Sequence, residues 1–160
     1  MIREIDIDNA KMWTIPAEKS KNKLAHRVPL STLAIEILAE IGKLSRDSRW
    51  LFPSPAGDRP MTGRAVNHAV LRVRDKLGVG DNMRPHDLRR TAASEMASMG
   101  VSRFNIGRVL NHSEPGVTKI YDRYGYDLEK RQALEVWARR LEEIISGKTP
   151  ASNVTELRRA

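Results

Sequence analysis

Four side chains in the second half of the chain are suited to phosphoryl transfer: His86, Arg89, His112 and Tyr121. A tyrosine hydroxyl can attack phosphorus, but its pKa near ~10 leaves only about one molecule in a thousand as phenolate at neutral pH. A guanidinium stays protonated and can bind two oxygens of a phosphodiester as they gain charge. On a helix, His86 and Arg89 share one face, and the imidazole can exchange a proton near neutral pH.

Each of these residues also has a purely structural explanation when it is taken alone. Pro85 marks the start of a helix, on whose surface Arg89 and Arg90 can simply be solvated. His112 lies in a turn after a helix and can cap its end. Tyr121 has apolar neighbours at helical spacing and can be a half-buried core residue. The combination of the four groups, rather than any one of them, therefore carries the interpretation.

The order and spacing of these groups resemble those of the tyrosine recombinase family, the phage-type integrases. The motifs are HDLRRT at residues 86–91, LNHS at residues 110–113, and a tyrosine nine residues after His112. Members of that family combine a His-x-x-Arg pair, a second histidine or tryptophan, and a nucleophilic tyrosine. The later part of the chain, DRYGYDLEKRQALEVWARRLEEI, is similar to integrases of satellite phages and genomic islands.

The resemblance assigns a role to each matching position. It makes His86 and Arg89 the His-x-x-Arg pair, His112 the second histidine, and Tyr121 the nucleophile that forms a 3′-phosphotyrosyl link with DNA. Two other tyrosines compete for the nucleophile position, namely Tyr124 and Tyr126.

A basic segment near the N-terminus is predicted to form the tip of a β-hairpin whose return strand ends near Pro29. In the resembled family, a hairpin lysine protonates the departing 5′ oxygen of DNA, and the position that matches, counted back from V-P-L, is Lys21. An ammonium with a pKa near ~10.4 is protonated at neutral pH and needs no tuning for this role. The alternative is that Lys21, like Lys19 and Lys23, only neutralises backbone phosphates.

The apolar periodicity predicts a mostly α-helical α+β fold, in which a small N-terminal antiparallel β-sheet precedes a helical bundle. The resemblance implies that this bundle is the catalytic one. With 160 residues, the chain is long enough for one domain. We expect this domain to cover residues 1–147 and to be followed by a polar, disordered tail at residues 148–160. Strands are predicted at 1–7, at 12–16 and before Pro29, and helices at 31–45, 62–78, 86–99 and 102–110 and from Asp127 onward.

The charge of the chain predicts a polyanionic partner, which we take to be double-stranded DNA. Lysine and arginine number 28 against 20 acidic residues, which gives a net charge of +8. The helix after Thr62 is basic on its outer side and can lie along DNA, although a solvated basic face is an equal alternative. Its apolar residues are expected to face the core: Val66, Val70, Val73 and Leu77. The predicted DNA contacts are Lys19, Lys23, Arg64, Arg72 and Arg90.

Several classes of protein and site are excluded or disfavoured. The chain has no cysteine, which excludes disulfides and cysteine-based zinc sites. No apolar run reaches the length of a membrane span, and the N-terminus is too charged for a signal peptide. We therefore expect a cytoplasmic, nucleoid-associated protein of a bacterium or phage. The scattered histidines disfavour a metal-dependent nuclease, and the resemblance implies no metal or other cofactor, because arginine and lysine supply the positive charge.

The resemblance is incomplete on its N-terminal side. The family's first catalytic arginine precedes the strand that matches Ile2–Ile7, and Arg3 does not correspond to it. The DNA-clamping domain that usually comes before it is also unmatched. We therefore expect a partial catalytic domain, and by analogy with loss of an oxyanion donor the missing arginine costs about 3 kcal/mol, a hundredfold or more in rate. Little or no recombination is expected from this chain alone.

The sequence thus predicts site-specific DNA recombination or integration by a tyrosine recombinase, with two alternatives. A type IB topoisomerase-like enzyme shares the tyrosine chemistry but needs no recognition site. A non-catalytic DNA-binding regulator is suggested by the two helices around Gly100, which have helix-turn-helix proportions. In the resembled family the C-terminal helix often docks on a neighbouring subunit, which makes Trp137 a candidate anchor for self-association.

Overall fold

The computed structural model describes residues 4–45, 48–57, 59–78, 83–112 and 124–147. In this part of the chain a three-stranded antiparallel sheet is followed by five α-helices, which confirms the predicted mostly helical α+β fold. The predicted nucleophile Tyr121 and the expected tail at 148–160 lie outside the described residues. The elements are β1 (Ile5–Asp6), β2 (Met12–Ile15), β3 (His26–Pro29), α1 (Thr32–Ser45), α2 (Gly63–Arg74), α3 (Pro85–Ser98), α4 (Arg103–Val109) and α5 (Asp127–Ser146).

The strands β2 and β3 form the predicted hairpin. Met12 pairs with Pro29 and Ile15 pairs with His26, while β1 pairs with the other edge of β2. Pro29 has no N–H to donate, and it is accommodated because β3 is an edge strand. The ten-residue connection between β2 and β3 holds a 3₁₀ turn at Ala17–Lys19. The hairpin therefore presents a long, basic tip away from the paired strands.

Hydroxyl side chains cap three of the helices, at the positions expected from the sequence. The side-chain oxygens of Ser31, Thr62 and Ser102 each accept a hydrogen bond from the backbone N–H three residues later, at 3.3, 3.2 and 3.2 Å. Each cap satisfies one of the amides that the first turn of a helix leaves without an intrahelical partner. Local sequence thus fixes where these helices begin.

One cluster of buried apolar residues lies where α3, α4 and α5 meet, while Met12, Pro29 and Leu30 are buried on the side of the sheet. Met96, Ile106 and Ala133 form the cluster between the helices, and Met96 is only 1% exposed. Trp137 is half-buried and packs against this cluster. The predicted anchor for self-association therefore contacts the core of its own chain, and self-association stays a prediction.

Two cationic residues at the start of α5 bind the sheet through backbone carbonyl groups. Lys130 is 4% exposed, and its Nζ donates to the carbonyl oxygen of Arg27 at 2.5 Å. The guanidinium of Arg131 donates to the carbonyl oxygens of Ala10 at 3.0 Å and Leu30 at 3.3 Å. A buried charge is tolerated only when it is paired and hydrogen-bonded. These bonds therefore fix the sheet relative to the helix that also packs on α3 and α4.

The expectation that the apolar stripe of the helix after Thr62 faces the core is wrong for three of its four members, of which Leu77 lies in a 3₁₀ turn that follows α2. Val66 and Val73 are each 46% exposed and Leu77 is 66% exposed, whereas Val70 is half-buried. Helical periodicity shows that a stripe is apolar, but burial also needs a second surface to cover it. The described residues leave most of this stripe exposed. None of the described helices has the combined length and apolarity to span a bilayer.

We expect Lys130→Met to destabilise the fold. Methionine keeps a long side chain but removes the ammonium, so the Arg27 carbonyl loses its donor and Asp127 loses an ion pair of 2.9 Å. The free energy of unfolding, measured by urea denaturation, should fall by about 1–3 kcal/mol. Lys43→Met, in the exposed last turn of α1, is the matched control and should change it little. Equal effects of the two substitutions would contradict the role given to Lys130.

Candidate functional site

The start of α3 presents His86 and Arg89. Pro85 occupies the first helical position, and the Asp87 carboxylate accepts a hydrogen bond from the backbone N–H of Arg84 at 2.9 Å. This bond secures the helix start through an amide that the helix itself cannot satisfy. His86 and Arg89 are both exposed and lie three residues apart on α3. They therefore lie on one face of the helix, as the His-x-x-Arg spacing predicts.

Arg89 reaches from α3 to the end of α4. Its Nη2 donates a hydrogen bond to the carbonyl oxygen of Leu110, the residue that follows the last helical position, Val109. Carbonyls at a helix C-terminus lack intrahelical donors and carry partial negative charge, so a guanidinium is a favourable partner there. His112 is two residues further along and is exposed. The bond thus brings Arg89 to the turn that carries His112.

Three further hydrogen bonds hold the same turn from the side of the hairpin. The Nε2 of His26, on β3, lies 3.2 Å from the carbonyl oxygen of Val109. The side-chain amide of Asn111 hydrogen-bonds with Ser20 and Asn22, which belong to the hairpin tip. Three consecutive residues of the turn before His112 are therefore each bound by a side chain from a distant segment. We call residues 109–112 the histidine turn.

The bonds between the hairpin tip and the histidine turn form a closed ring of three side chains. Ser20 Oγ donates to Asn22 Oδ1 at 2.7 Å, Asn22 Nδ2 donates to Asn111 Oδ1 at 2.9 Å, and Asn111 Nδ2 donates to Ser20 Oγ at 3.1 Å. Lys21 lies between two members of this ring and is exposed. The ring therefore places the hairpin lysine beside the turn that carries His112.

The three lysines of the tip differ in their surroundings. Lys19 forms an ion pair with Glu4, whereas Lys21 and Lys23 are exposed, and Lys23 has a left-handed backbone with φ of 58°. In the part of the chain that the structure describes, the Lys21 ammonium has no ion-pair partner. Its charge is therefore uncompensated within the described residues, while the charge of Lys19 is partly compensated.

His26 is a buried histidine that sequence reasoning treated only as one of four scattered histidines. Burial lowers its pKa, and the positive charges of Lys130 and Arg89 lower it further. The hydrogen bond with Val109 and the charge of Asp127 act in the opposite direction but do not outweigh burial. Since a carbonyl oxygen can only accept, Nε2 carries a proton in this bond. The neutral ring in its Nε2–H form satisfies the contact.

The competing tyrosines form an aromatic cluster just beyond residue 123. The rings of Tyr124 and Tyr126 meet edge to face with centroids 4.8 Å apart. The Arg108 guanidinium lies over Tyr126 at 4.7 Å and over Phe104 at 4.8 Å, in cation–π geometry. Tyr126 is half-buried in this packing, which suits a structural role, whereas Tyr124 is 59% exposed. Tyr121 lies outside the described residues, so its distance from Arg89 is not part of this geometry.

The residues predicted to contact DNA are all exposed. Arg90 keeps 75% of its side chain exposed beside Asp87, at 3.7 Å, and Arg64 and Arg72 lie on the outside of α2. Exposure is what a contact with a phosphate requires, but it does not by itself select a partner. The assignment of these residues to DNA stays a prediction.

Sequence reasoning missed the residues that assemble the site, namely Ser20, Asn22, His26 and Asn111. One of them left a signal: Asn111 directly follows a helix end, and asparagine tolerates the left-handed backbone that such a position needs. Its φ is 55°. The hairpin partners had no such signal, because their bonds join segments about ninety positions apart along the chain.

Comparison with known proteins points to one family. The model of the phage integrase family matches residues 1–126. The prophage integrase IntA of Escherichia coli (strain K12) is 31% identical over 157 residues, which are 97% of this chain and 37% of IntA. Tyrosine recombinase XerD of Rhizobium meliloti is 32% identical over 71% of this chain and 37% of its own length. Tyrosine recombinase XerC of Bradyrhizobium diazoefficiens is 37% identical over 49% of this chain and 23% of its own length.

No solved structure matches the chain significantly. The chain spans little more than a third of the length of IntA, to which it is similar over nearly all of its residues. The similarity therefore covers this chain but leaves most of that relative unmatched.

We expect His26→Gln to weaken the pH dependence of stability below pH 6.5, the ordinary pKa of the ring. Because burial lowers the pKa in the folded state, the unfolded chain takes up the proton first as the pH falls. Stability is therefore lost as the pH falls from about 6.5 towards the folded-state pKa. Thermal unfolding midpoints measured between pH 7.5 and 5 should fall less steeply in the variant than in the wild type.

The matched control is His68→Gln, the same substitution on the exposed surface of α2. It separates the effect of the buried ring from that of replacing a histidine. Equal pH dependence in His26→Gln and the wild type would contradict the assignment of His26 as a buried neutral ring.

Proposed function

The chain belongs to the phage integrase family, and on that premise we propose that it carries the nucleophile and part of the charge-stabilising machinery of a site-specific DNA recombinase. One observation carries the proposal: the hairpin tip with Lys21, the Arg89 guanidinium and the histidine turn converge on one place. These groups come from three separate segments of the chain. Phosphoryl transfer without a metal ion requires that such groups lie close together and supply the positive charge themselves.

In the proposed reaction, the Tyr121 hydroxyl oxygen attacks a phosphorus of one DNA strand. A bond forms between this oxygen and phosphorus, giving a 3′-phosphotyrosyl link, while the bond from phosphorus to the 5′ oxygen breaks. His86 assists removal of the tyrosyl proton, and the Lys21 ammonium gives a proton to the departing 5′ oxygen. Arg89 and His112 stabilise the negative charge on the non-bridging oxygens. Attack of a 5′ hydroxyl on the link reverses these steps and rejoins a strand.

The surroundings of Arg89 support the role of an anion clamp. A guanidinium carries five N–H donors in a planar fork, and the bond with the Leu110 carbonyl uses one of them. That bond holds the side chain in place, which reduces the entropy lost when a phosphate binds. The remaining donors suit the two non-bridging oxygens of a phosphodiester. Among the described residues, Arg89 therefore combines a fixed position with donors that no other hydrogen bond uses.

We propose further that efficient catalysis needs one more arginine from outside these residues. The matched motifs supply one arginine, one lysine, two histidines and a tyrosine, while the family pattern includes a first arginine that has no counterpart here. The chain covers 37% of the length of IntA, so the longer relative has room for it. The activity of a whole protein containing this chain is therefore part of the proposal.

The test traps the covalent intermediate on a nicked suicide DNA substrate that carries a candidate attachment site. We expect a denaturant-resistant protein–DNA adduct from the chain extended upstream to restore the first arginine. The 160-residue chain should form it a hundredfold or more slowly, by analogy with loss of an oxyanion donor. Tyr121→Phe should abolish the adduct, because it removes the attacking oxygen and little else.

Tyr124→Phe and Tyr126→Phe are the controls, and each should keep the adduct. Loss of the adduct in one of them, with Tyr121→Phe unaffected, would reassign the nucleophile. DNA binding without any adduct at either length would favour a DNA-binding regulator. An adduct on any sequence, together with relaxation of supercoiled DNA, would favour a topoisomerase-like activity.

The DNA contacts proposed for α2 predict a change in the salt dependence of binding. Each phosphate contact contributes about −0.9 to the slope of log K against log salt concentration on duplex DNA. Replacing Arg64 and Arg72 together by glutamine should therefore make the slope shallower by about 1.8. The control Lys43→Gln removes an exposed charge from α1 instead. Equal slopes in the α2 variant and the wild type would place the DNA elsewhere.

A further inference from the structure

We infer that the ring of Ser20, Asn22 and Asn111 is a positioning device, which sets Lys21 on the histidine turn for proton delivery to the leaving oxygen. The inference rests on the proposed function, because the role of Lys21 belongs to it. The three residues would act through Lys21 and are not catalytic residues themselves. They fix the distance between the hairpin tip and the histidine turn, which lie about ninety positions apart in the sequence.

The ring of hydrogen bonds is closed. Each of its three side chains donates one hydrogen bond and accepts one within the ring, and Asn22 Oδ1 also accepts from the backbone N–H of Leu24 at 3.2 Å. Bonds in such a circuit polarise one another, so that the loss of one weakens the others. Ser20 is 5% exposed, and both amides are half-buried, which limits competition from water. The ring is therefore a stiff joint rather than a chance surface contact.

The backbone of Asn111 aims its amide at the hairpin. Its φ of 55° places it in the left-handed region, where it ends the run of helical residues in α4. Asparagine is one of the few residues other than glycine that adopts this region readily. Glycine at this position would keep the backbone conformation and remove only the amide. Alanine would add strain, so glycine is the cleaner substitution.

The turn itself does not depend on the ring. The carbonyls of Val109 and Leu110 are held by His26 and Arg89, and the backbone N–H of His112 donates to the carbonyl of Gly107 at 2.9 Å. Removing the Asn111 amide should therefore leave the histidine turn in place and release only the hairpin tip. This separation makes the inference testable apart from the stability of the fold.

Proton delivery is sensitive to such a release. A general acid must lie within hydrogen-bond reach of the atom that it protonates, and a displacement of about 1 Å can cost about a hundredfold in rate. Lysine has a long side chain with much rotamer freedom, so the position of its backbone sets the volume that its ammonium samples. Fixing residues 20 and 22 on either side of Lys21 restricts that volume.

The test compares two DNA substrates whose leaving atoms differ. One has the normal oxygen at the 5′ position of the scissile phosphate and the other has sulfur there. A thiol has a pKa of ~8.5, so a thiolate can leave without being protonated. An alkoxide is a much poorer leaving group and needs a proton from a general acid. We expect Asn111→Gly to slow adduct formation on the oxygen substrate by about tenfold or more. The upper bound is the whole contribution of general acid catalysis, ~10²–10⁴-fold. The rate on the sulfur substrate should change much less, as it should in Lys21→Met.

The matched control is Asn9→Gly, the same chemical change in the exposed turn between β1 and β2, where the amide of Asn9 faces Asp6. It should leave the ratio of the two rates unchanged. The assay uses whichever length of the protein forms the adduct. Any loss from a missing first arginine affects both substrates and leaves the ratio intact.

The outcomes separate the inference from the proposed function. A Tyr121-dependent adduct in the wild type, with the same ratio of rates in Asn111→Gly, overturns the inference and leaves the proposed function standing. Equal slowing on both substrates also overturns it, because the ring would then support the site in general and not Lys21. No adduct from the wild type at either length overturns the proposed function and, with it, the role given to the ring.

A measurement that needs no activity checks the joint itself. If the ring couples the tip to the turn, the effects of Ser20→Ala and Asn111→Gly on stability should not be additive. The double variant should then shift the urea midpoint by less than the sum of the two single shifts. Strictly additive shifts would show that the three side chains do not act as a unit, and would overturn the inference whatever the rates.

Discussion

Backbone carbonyl groups that secondary structure leaves without donors organise this molecule. The end of α4 exposes the carbonyls of Val109 and Leu110, and they are satisfied by His26 from the sheet and Arg89 from α3. Strand β3 and the residues that flank the hairpin strands offer carbonyls that Lys130 and Arg131 satisfy from α5. A buried carbonyl without a donor costs free energy, so each of these bonds ties one element to another. The arrangement of sheet and helices follows from where these donors come from.

The same bonds give the candidate site its shape. Three strands are too few to form an independent core, and the cluster of Met96, Ile106 and Ala133 lies among the helices. The hairpin is placed by polar contacts at both of its ends: the α5 cations hold its strands, and the Asn111 amide holds its tip. A hairpin held in this way can carry a long basic tip without losing its position. A reactive lysine needs such a combination of reach and fixed placement.

The placement of charge serves two purposes at once. Arg89 satisfies a helix end, and the Lys130 ammonium is hydrogen-bonded and ion-paired within the fold. The Lys21 ammonium has no ion-pair partner among the described residues. His26 lies near the positive charges of Arg89 and Lys130, and its burial favours the neutral ring. A charged ring at this position would add a second buried positive charge near that of Lys130, at a cost in stability. The exposed guanidinium of Arg89 thus lies near a histidine ring whose burial favours the neutral form.

The amino-acid sequence by itself determined the family, the fold class and the starts of the helices. These features are local, or depend on residue types at fixed spacing: the caps at Ser31, Thr62 and Ser102, and the HDLRRT and LNHS motifs with their tyrosine. Only the tertiary structure decided which surfaces are covered and how the site is joined. The stripe of α2 is apolar but largely exposed. The ring of Ser20, Asn22 and Asn111 joins side chains that are ordinary in sequence, because a hydrogen bond between distant segments leaves no periodicity or motif in either of them.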